Sequence, residues 1–222
     1  MYIHLTAHSS FSLQEGLLSP ADLARAAKTH QMPAIGLTDH HILTGVIEFA
    51  TACKEIDIQP IFGLEIDLER GPLNLLAMSL EGWSNLCRLS SAIALQDEGE
   101  TVCALETLTK YSQDLLAISN HSLEELKPIF QDRLYVSLQT QSRALELSKL
   151  ARSLSLPTVI THPIYYLSPE QAGLQHTLTA IRLNQSVQQL PLNAAAPAGS
   201  YFSSPQEMES RFQDFPLSLI HI

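Results

Sequence analysis

"MPAIGLTDHHILTGVIEFATACKEIDIQPIFGLEIDL", residues 32–68, is the stretch whose reading decides the fold. Its start, 33–37, is a short apolar run of the kind that forms a buried strand. Residues 43–56 place apolar side chains at helical spacing and predict an amphipathic helix. A second strand is predicted over 58–68. Strand, helix and strand make the unit of a parallel sheet. Asp39, His40 and His41 stand just past the first strand, and Glu65 lies in the second. In a parallel sheet the carboxyl ends of the strands hold the site, so these residues are the first candidates for function.

The alternation continues outward in both directions. Further strands are predicted over 2–5, 73–79, 114–119, 133–138 and 156–162. Helices are predicted over 19–31, 79–96, 102–112, 122–130, 141–155 and 168–184. Ser19-Pro20 and Ser168-Pro169 share one start signal, a serine cap followed by proline in the first turn. So many short βα units predict either an open doubly wound sheet or a closed barrel. Polar residues recur at the strand ends: Thr6 and His8, then 39–41, Glu65, His121 and His162. From about 185 the pattern changes. Residues 184–204 are rich in Gln, Ala and Pro, and 204–216 read as a capped helix. The closing "LSLIHI" carries no stop signal and reads as the cut edge of a longer polypeptide.

The chain has 222 residues, 45% of them hydrophobic, enough for a sizeable core. No apolar run approaches the roughly 18 residues of a membrane span. The N-terminus lacks the basic start and long apolar stretch of a secretory signal. Cys53, Cys87 and Cys103 form no CxxC pair and suit a reduced, cytoplasmic setting. The net charge of −10 comes from 13 basic and 23 acidic residues, and the lysines are scattered. Strong nucleic-acid binding by this chain alone is therefore not expected.

Histidines and acids on separate strand ends suit zinc, manganese or iron, whose bound water is a nucleophile near neutral pH. The same residues also suit a hydrogen-bonded polar rim with no ion. No GxSxG elbow, GxGxxG loop or GxxxxGK[ST] loop is present, so hydrolase-elbow and nucleotide-cradle chemistry find no support. Asp39 and His40 are neighbours on one strand and point to opposite sides, which argues against a direct acid–base pair. His30 reads as a surface residue, His176 as part of an amphipathic helix, and His221 lies in the tail.

Three stretches taken together, "HLTAHSSFSLQEG" (4–16), the opening stretch 32–68 and "LPTVITHPIYYLSPEQAGLQHTLTAI" (156–181), resemble the polymerase-and-histidinol-phosphatase (PHP) domain. The version they resemble stands at the N-terminus of the bacterial DNA polymerase III alpha subunit. "LNLLAMSLEGWSNLCRLSS" (73–91) and "YFSSPQEMESRFQDFP" (201–216) extend the resemblance nearly end to end. It implies an α/β fold, a distorted seven-stranded (βα)7 TIM-like barrel over 1–184. Residues 185–222 would then be an extension leading out of the barrel, truncated from a longer polymerase chain.

In active members of the family the barrel mouth holds up to three metal ions on nine ligands. Such sites hydrolyse phosphoesters and in some polymerases proofread 3′ ends. Carried over to this sequence, the resemblance keeps His8, Glu15, His40, Glu65 and His121 as metal ligands. His40 and Glu65 would be the catalytic pair if the site works. Thr6, Pro72, Pro163 and Tyr165 stand where further ligands are expected. With so few donors, the expectation is no ion, or one partially occupied zinc, manganese or magnesium. His4, His41 and His162 are the only nearby substitutes. Without cations, Glu15, Asp39 and Glu65 would repel one another, so His8 or His40 should pair with them and titrate above an ordinary histidine. The resemblance therefore implies a structural and partner-binding module in DNA replication. Its partners would be downstream polymerase domains and a proofreading exonuclease subunit. The alternatives are a metal-dependent phosphoesterase or 3′–5′ exonuclease using the residual ligands, and a stand-alone PHP protein with another substrate.

Overall fold

The computed structural model describes residues 2–97, 101–191, 194–197, 199–215 and 218. His221, most of the final apolar run and the last residue of the 204–216 helix prediction lie outside the described residues. Six strands form one sheet in sequence order. They are β1 (Ala34–Leu37), β2 (Gln59–Leu68), β3 (Gly71–Ala77), β4 (Leu115–Ser119), β5 (Leu134–Leu138) and β6 (Thr158–Ile160). The helices are α1 (Pro20–Thr29), α2 (Val46–Glu55), α3 (Leu80–Ala94), α4 (Leu105–Lys110), α5 (Leu123–Phe130), α6 (Gln141–Ser153), α7 (Ala172–Arg182) and α8 (Pro205–Arg211).

Serine caps start several helices as the sequence predicts. Ser19 accepts from Asp22 N–H with Pro20 in the first turn of α1, and Ser204 and Glu207 close a reciprocal box at α8. The Ser168-Pro169 signal starts a short 3-10 turn, Pro169–Gln171, that runs directly into α7.

Two sequence expectations need correction. The sheet is not wholly parallel: β2 pairs with β3, and β3 with β4, antiparallel, while the remaining pairs are parallel. Only Glu69 and Arg70 separate β2 from β3. A link that short makes a hairpin, because a parallel crossover needs a dozen or more residues. Gly71, at φ 140°, takes the conformation this turn requires.

The second correction concerns the predicted strand at 2–5, which is not a regular strand. Gly36 N–H donates to His4 C=O at 2.7 Å, whereas Thr38 N–H donates to Ala7 C=O at 2.8 Å. Two steps along β1 thus match three along the N-terminal segment, and that bulge breaks the ladder. On its other side the segment meets the residues after β6, through a bridge from Ala7 to Ile164 and a 2.8 Å bond from His8 N–H to Ile164 C=O.

Side chains alternate across the strands and fill both faces of the sheet. Leu64, Ile66, Leu73, Leu75, Leu115 and Ala117 pack into the largest core cluster, which also takes in Met208 and Phe212 from the chain's last described helix and turn. Leu76, Leu116, Ile118 and Val159 face the other way and pack with Leu5. On β2 the residues between the outward leucine and isoleucine positions are Glu65 and Asp67. The same alternation that builds the core therefore aims two carboxylates inside the curled sheet.

Candidate functional site

The site is built by β1 and β2 running on together past their regular pairing. Beyond Leu37 a single parallel bridge joins His40 to Glu65. Glu65 N–H donates to Asp39 C=O at 3.1 Å, and His41 N–H donates to Glu65 C=O at 2.8 Å. His40 and His41 are thereby pinned beside the carboxyl half of β2.

Asp39 points away from the histidines. Its carboxylate accepts from Ser9 N–H at 2.7 Å, Ser9 Oγ at 2.7 Å and Ser12 Oγ at 2.6 Å. Ser12 Oγ accepts in turn from His40 N–H at 3.0 Å. Asp39 thus shapes the 9–12 turn, and it makes no ion pair with a histidine among the described residues. That separation follows from the opposite directions of neighbouring strand side chains.

The other polar groups form one network. His8 Nε2 lies 3.1 Å from Glu65 Oε1, and Asn74 Nδ2 donates to Glu65 Oε2 at 3.0 Å. His40 Nδ1 lies 3.1 Å from Glu15 Oε1, and its Nε2 lies 3.1 Å from Asp67 Oδ2. Asp67 N–H donates to His41 Nε2 at 3.1 Å. Arg182, at the end of α7, reaches across the fold to ion-pair with Glu15. Three carboxylates (Glu15, Glu65, Asp67) therefore face His8, His40 and the Arg182 guanidinium.

Titration follows from this pairing. Burial pulls His40 down, but hydrogen bonds to Asp67 and Glu15 outweigh it and push the ring up to about 10. Burial also opposes the charge on His8, yet Glu65 raises it. Burial raises the Glu15 and Glu65 carboxyls, but His40 and Arg182 on the first and His8 on the second bring both below the usual range. Asp67 is held low, chiefly by the His40 hydrogen bond. His41 is lowered by burial and by the neighbouring His40 cation.

The structure brings four of the five candidate ligands together: His8, Glu15, His40 and Glu65. His121 stands apart. Its backbone is tied to Ser119 Oγ, and its ring packs over Gly71, where an added Cβ would lie 2.7 Å from His121 Cδ2. Among the described residues no hydrogen bond or ion pair joins it to the other four.

At the positions that replace expected ligands, Thr6 is buried with no partner for its hydroxyl among the described residues, and Pro72 sits opposite Asp67 in the hairpin. Tyr165 lies flat on His8, with ring centroids 4.2 Å apart. The possible substitutes His4 and His162 point elsewhere, His4 to Ser203 C=O and His162 to Tyr201 C=O, both at 2.8 Å. His30 is half-buried and stacks on Phe202 rather than lying free on the surface.

Two members of this network, Asp67 and Arg182, stand outside the candidate ligands. Asp67 follows Glu65 by two residues and so shares its face of β2, a signal that strand periodicity carries. Arg182 is remote from Glu15 in sequence, and nothing local announces the contact. Among the described residues, His40, His41 and Asp67 also form a group whose donor atoms all lie within 4.8 Å of one another.

Residues 4–153 match the family model described as the PHP domain. Over 97% of its length the chain is 30% identical to an error-prone DNA polymerase of Symbiobacterium thermophilum. Over 98% it is 27% identical to the DNA polymerase III subunit alpha of Halalkalibacterium halodurans. It spans 24% and 22% of those two proteins. An amidohydrolase from Chromobacterium violaceum shares the fold at a TM-score of 0.54 and 13% identity, covering 74% of this chain and 88% of that one. A protein assigned to the metal-dependent phosphoesterases, from Bifidobacterium adolescentis, does so at a TM-score of 0.50 and 13% identity, covering 72% and 85%.

Proposed function

The chain belongs to the PHP domain family, and from that membership we propose that it is the PHP module of a DNA polymerase III alpha-type polymerase whose hydrolytic mouth has been converted into a structural one. In this reading the N-terminal segment is the seventh stave of a distorted barrel. Residues 185–222 lead out toward polymerase domains that the relatives carry in the rest of their length. The partners are those domains and a proofreading exonuclease subunit. A net charge of −10 supports a protein-facing role over a DNA-facing one.

The observation that carries the proposal is the pairing of the mouth. A bridged metal cluster needs carboxylates free to span its ions. Both oxygens of Glu65 are spent on His8 and Asn74, and one oxygen of Glu15, Oε1, is shared by His40 and Arg182. Tyr165 and Pro163 offer no good ligand where an acid and a histidine are expected. The residues present do not fit a multinuclear hydrolytic centre, and His8, His40 and Arg182 engage the carboxylates that would bridge its ions.

The test is hydrolysis of a phosphomonoester and of a 3′-labelled single strand, with Mn²⁺ or Zn²⁺ added to the purified chain. Turnover at the no-protein background is expected. Turnover that His40→Ala and Glu65→Ala each abolish would instead establish the second reading, a phosphoesterase working on residual ligands. The His40, His41 and Asp67 group favours that second reading.

A further inference from the structure

We propose that His40, His41 and Asp67 bind a single divalent transition-metal ion of the zinc class, on a ligand set that departs from the family's own. His41 and Asp67 are outside the positions carried over by the resemblance, and only His40 is shared.

The geometry supports the site in three ways. First, the spacing fits. Tetrahedral zinc with bonds of about 2.0–2.1 Å holds its donor atoms roughly 3.3 Å apart. Asp67 Oδ2 lies 3.1 Å from His40 Nε2 and 3.8 Å from His41 Nε2, which brackets that separation. The donor atoms of all three side chains lie within 4.8 Å of one another, and the two imidazole centroids are 4.0 Å apart.

Second, the ligands are held from behind. His40 presents Nε2 because its Nδ1 is engaged by Glu15 at 3.1 Å, the outer carboxylate that orients many metal-bound histidines. His41 sits in the left-handed region at φ 62°, uncommon for a side chain of its size. It is fixed there by its N–H bond to Glu65 C=O and by Ser90 Oγ donating to its C=O at 2.7 Å.

Third, the group is reachable. The three side chains are 22%, 19% and 36% exposed, against 0% for His8. On binding, the ion replaces the proton that His40 shares with Asp67, which leaves to solvent. It also takes the lone pair that His41 Nε2 now lends to the Asp67 N–H. Three protein ligands leave a fourth position for water.

This site stands whether or not the mouth hydrolyses anything, because metal content reads the site and phosphoester turnover reads the function. The test is calorimetric titration of chelator-stripped protein with Zn²⁺, followed by elemental analysis after gel filtration. One ion per chain is expected, with a rise in melting temperature. His41→Gln and Asp67→Asn should each weaken binding at least tenfold, and His8→Gln should leave it within about threefold. NMR of the unmodified protein supplies a readout that needs no variant: Zn²⁺ should shift the His40 and His41 ring signals and spare His121. Failure to bind, binding lost with His8→Gln but kept with His41→Gln, or ring shifts confined to other histidines would overturn the proposal.

Discussion

His8 and Tyr165 stack face to face, their ring centroids 4.2 Å apart and their planes within 5° of parallel. His8 is fully buried, and its other contact is the ion pair with Glu65. Tyr165 therefore roofs a histidine that would otherwise meet solvent or a ligand. Truncating the ring removes that roof and leaves a void, so Tyr165→Ala should cost about 2–3 kcal/mol, below the range for a wholly buried aromatic. Tyr165→Phe keeps the stack and should stay within about 1 kcal/mol of the parent. Urea unfolding of the two variants at pH 6 compares them. Equal losses would mean that the hydroxyl, not the ring, matters.

Asp39 is a buried carboxylate that accepts three short hydrogen bonds, all from the turn at Ser9 and Ser12. Bonds to a charged acceptor contribute more than neutral ones, and their loss leaves buried donors unsatisfied. Asp39→Ala should cost about 3 kcal/mol and should loosen His40, because Ser12 Oγ holds the His40 N–H. Urea unfolding gives the first quantity. Hydrogen exchange at the His40 amide gives the second, and unchanged protection there would contradict the coupling.

Much of this architecture was readable from local pattern. The helix starts at Ser19-Pro20 and Ser204-Pro205 carry their own chemistry, and the buried strands declare themselves as short apolar runs. The hairpin at Glu69-Arg70 departs from an all-parallel sheet because its two-residue link is too short for a crossover. The N-terminal segment departs from a regular strand because its bulge is set by what Gly36 and Thr38 bond to, not by the segment's own composition. At the site, His8 pairs with Glu65 and His40 with Glu15. His121 does not join them, since its ring is taken up by the turn at Gly71. The Arg182–Glu15 pair is the least legible part, because it exists only once α7 has docked.

That pair yields the next prediction. Arg182 is about a third exposed and Glu15 is mostly buried, so solvent screens the pair only in part. Arg182→Gln should cost about 1 kcal/mol, the upper end for an exposed pair, and should let the Glu15 carboxyl rise toward its ordinary value. The cost should shrink in 1 M salt, where the screening length falls to about 3 Å. Unfolding curves at low and high salt measure it. A loss that ignores salt would identify packing of α7, and not charge, as what Arg182 contributes.

The histidines themselves should divide by titration. His40 is pushed up to about 10 by its Asp67 and Glu15 hydrogen bonds, against the pull of burial. His162 is lowered to about 4, first by burial and further by Arg211, although its bond to Tyr201 opposes this. The stability contributions then have opposite signs. A raised pKa favours the fold below the unfolded value of 6.5 and loses that contribution as pH climbs toward 10. A lowered histidine pKa penalises the fold as pH drops from 6.5 through about 4. Glu15, Glu65 and Asp67, all held low, stay ionised between those limits. Ring-proton NMR should show His40 still charged at pH 8 and His162 neutral at pH 6. The gap in melting temperature between the parent and His40→Gln should be widest below about pH 6.5 and close as pH approaches 10. A His40 signal that titrates near the ordinary histidine value would show that the carboxylates do not hold its proton, and the internally neutralised mouth would fall with it.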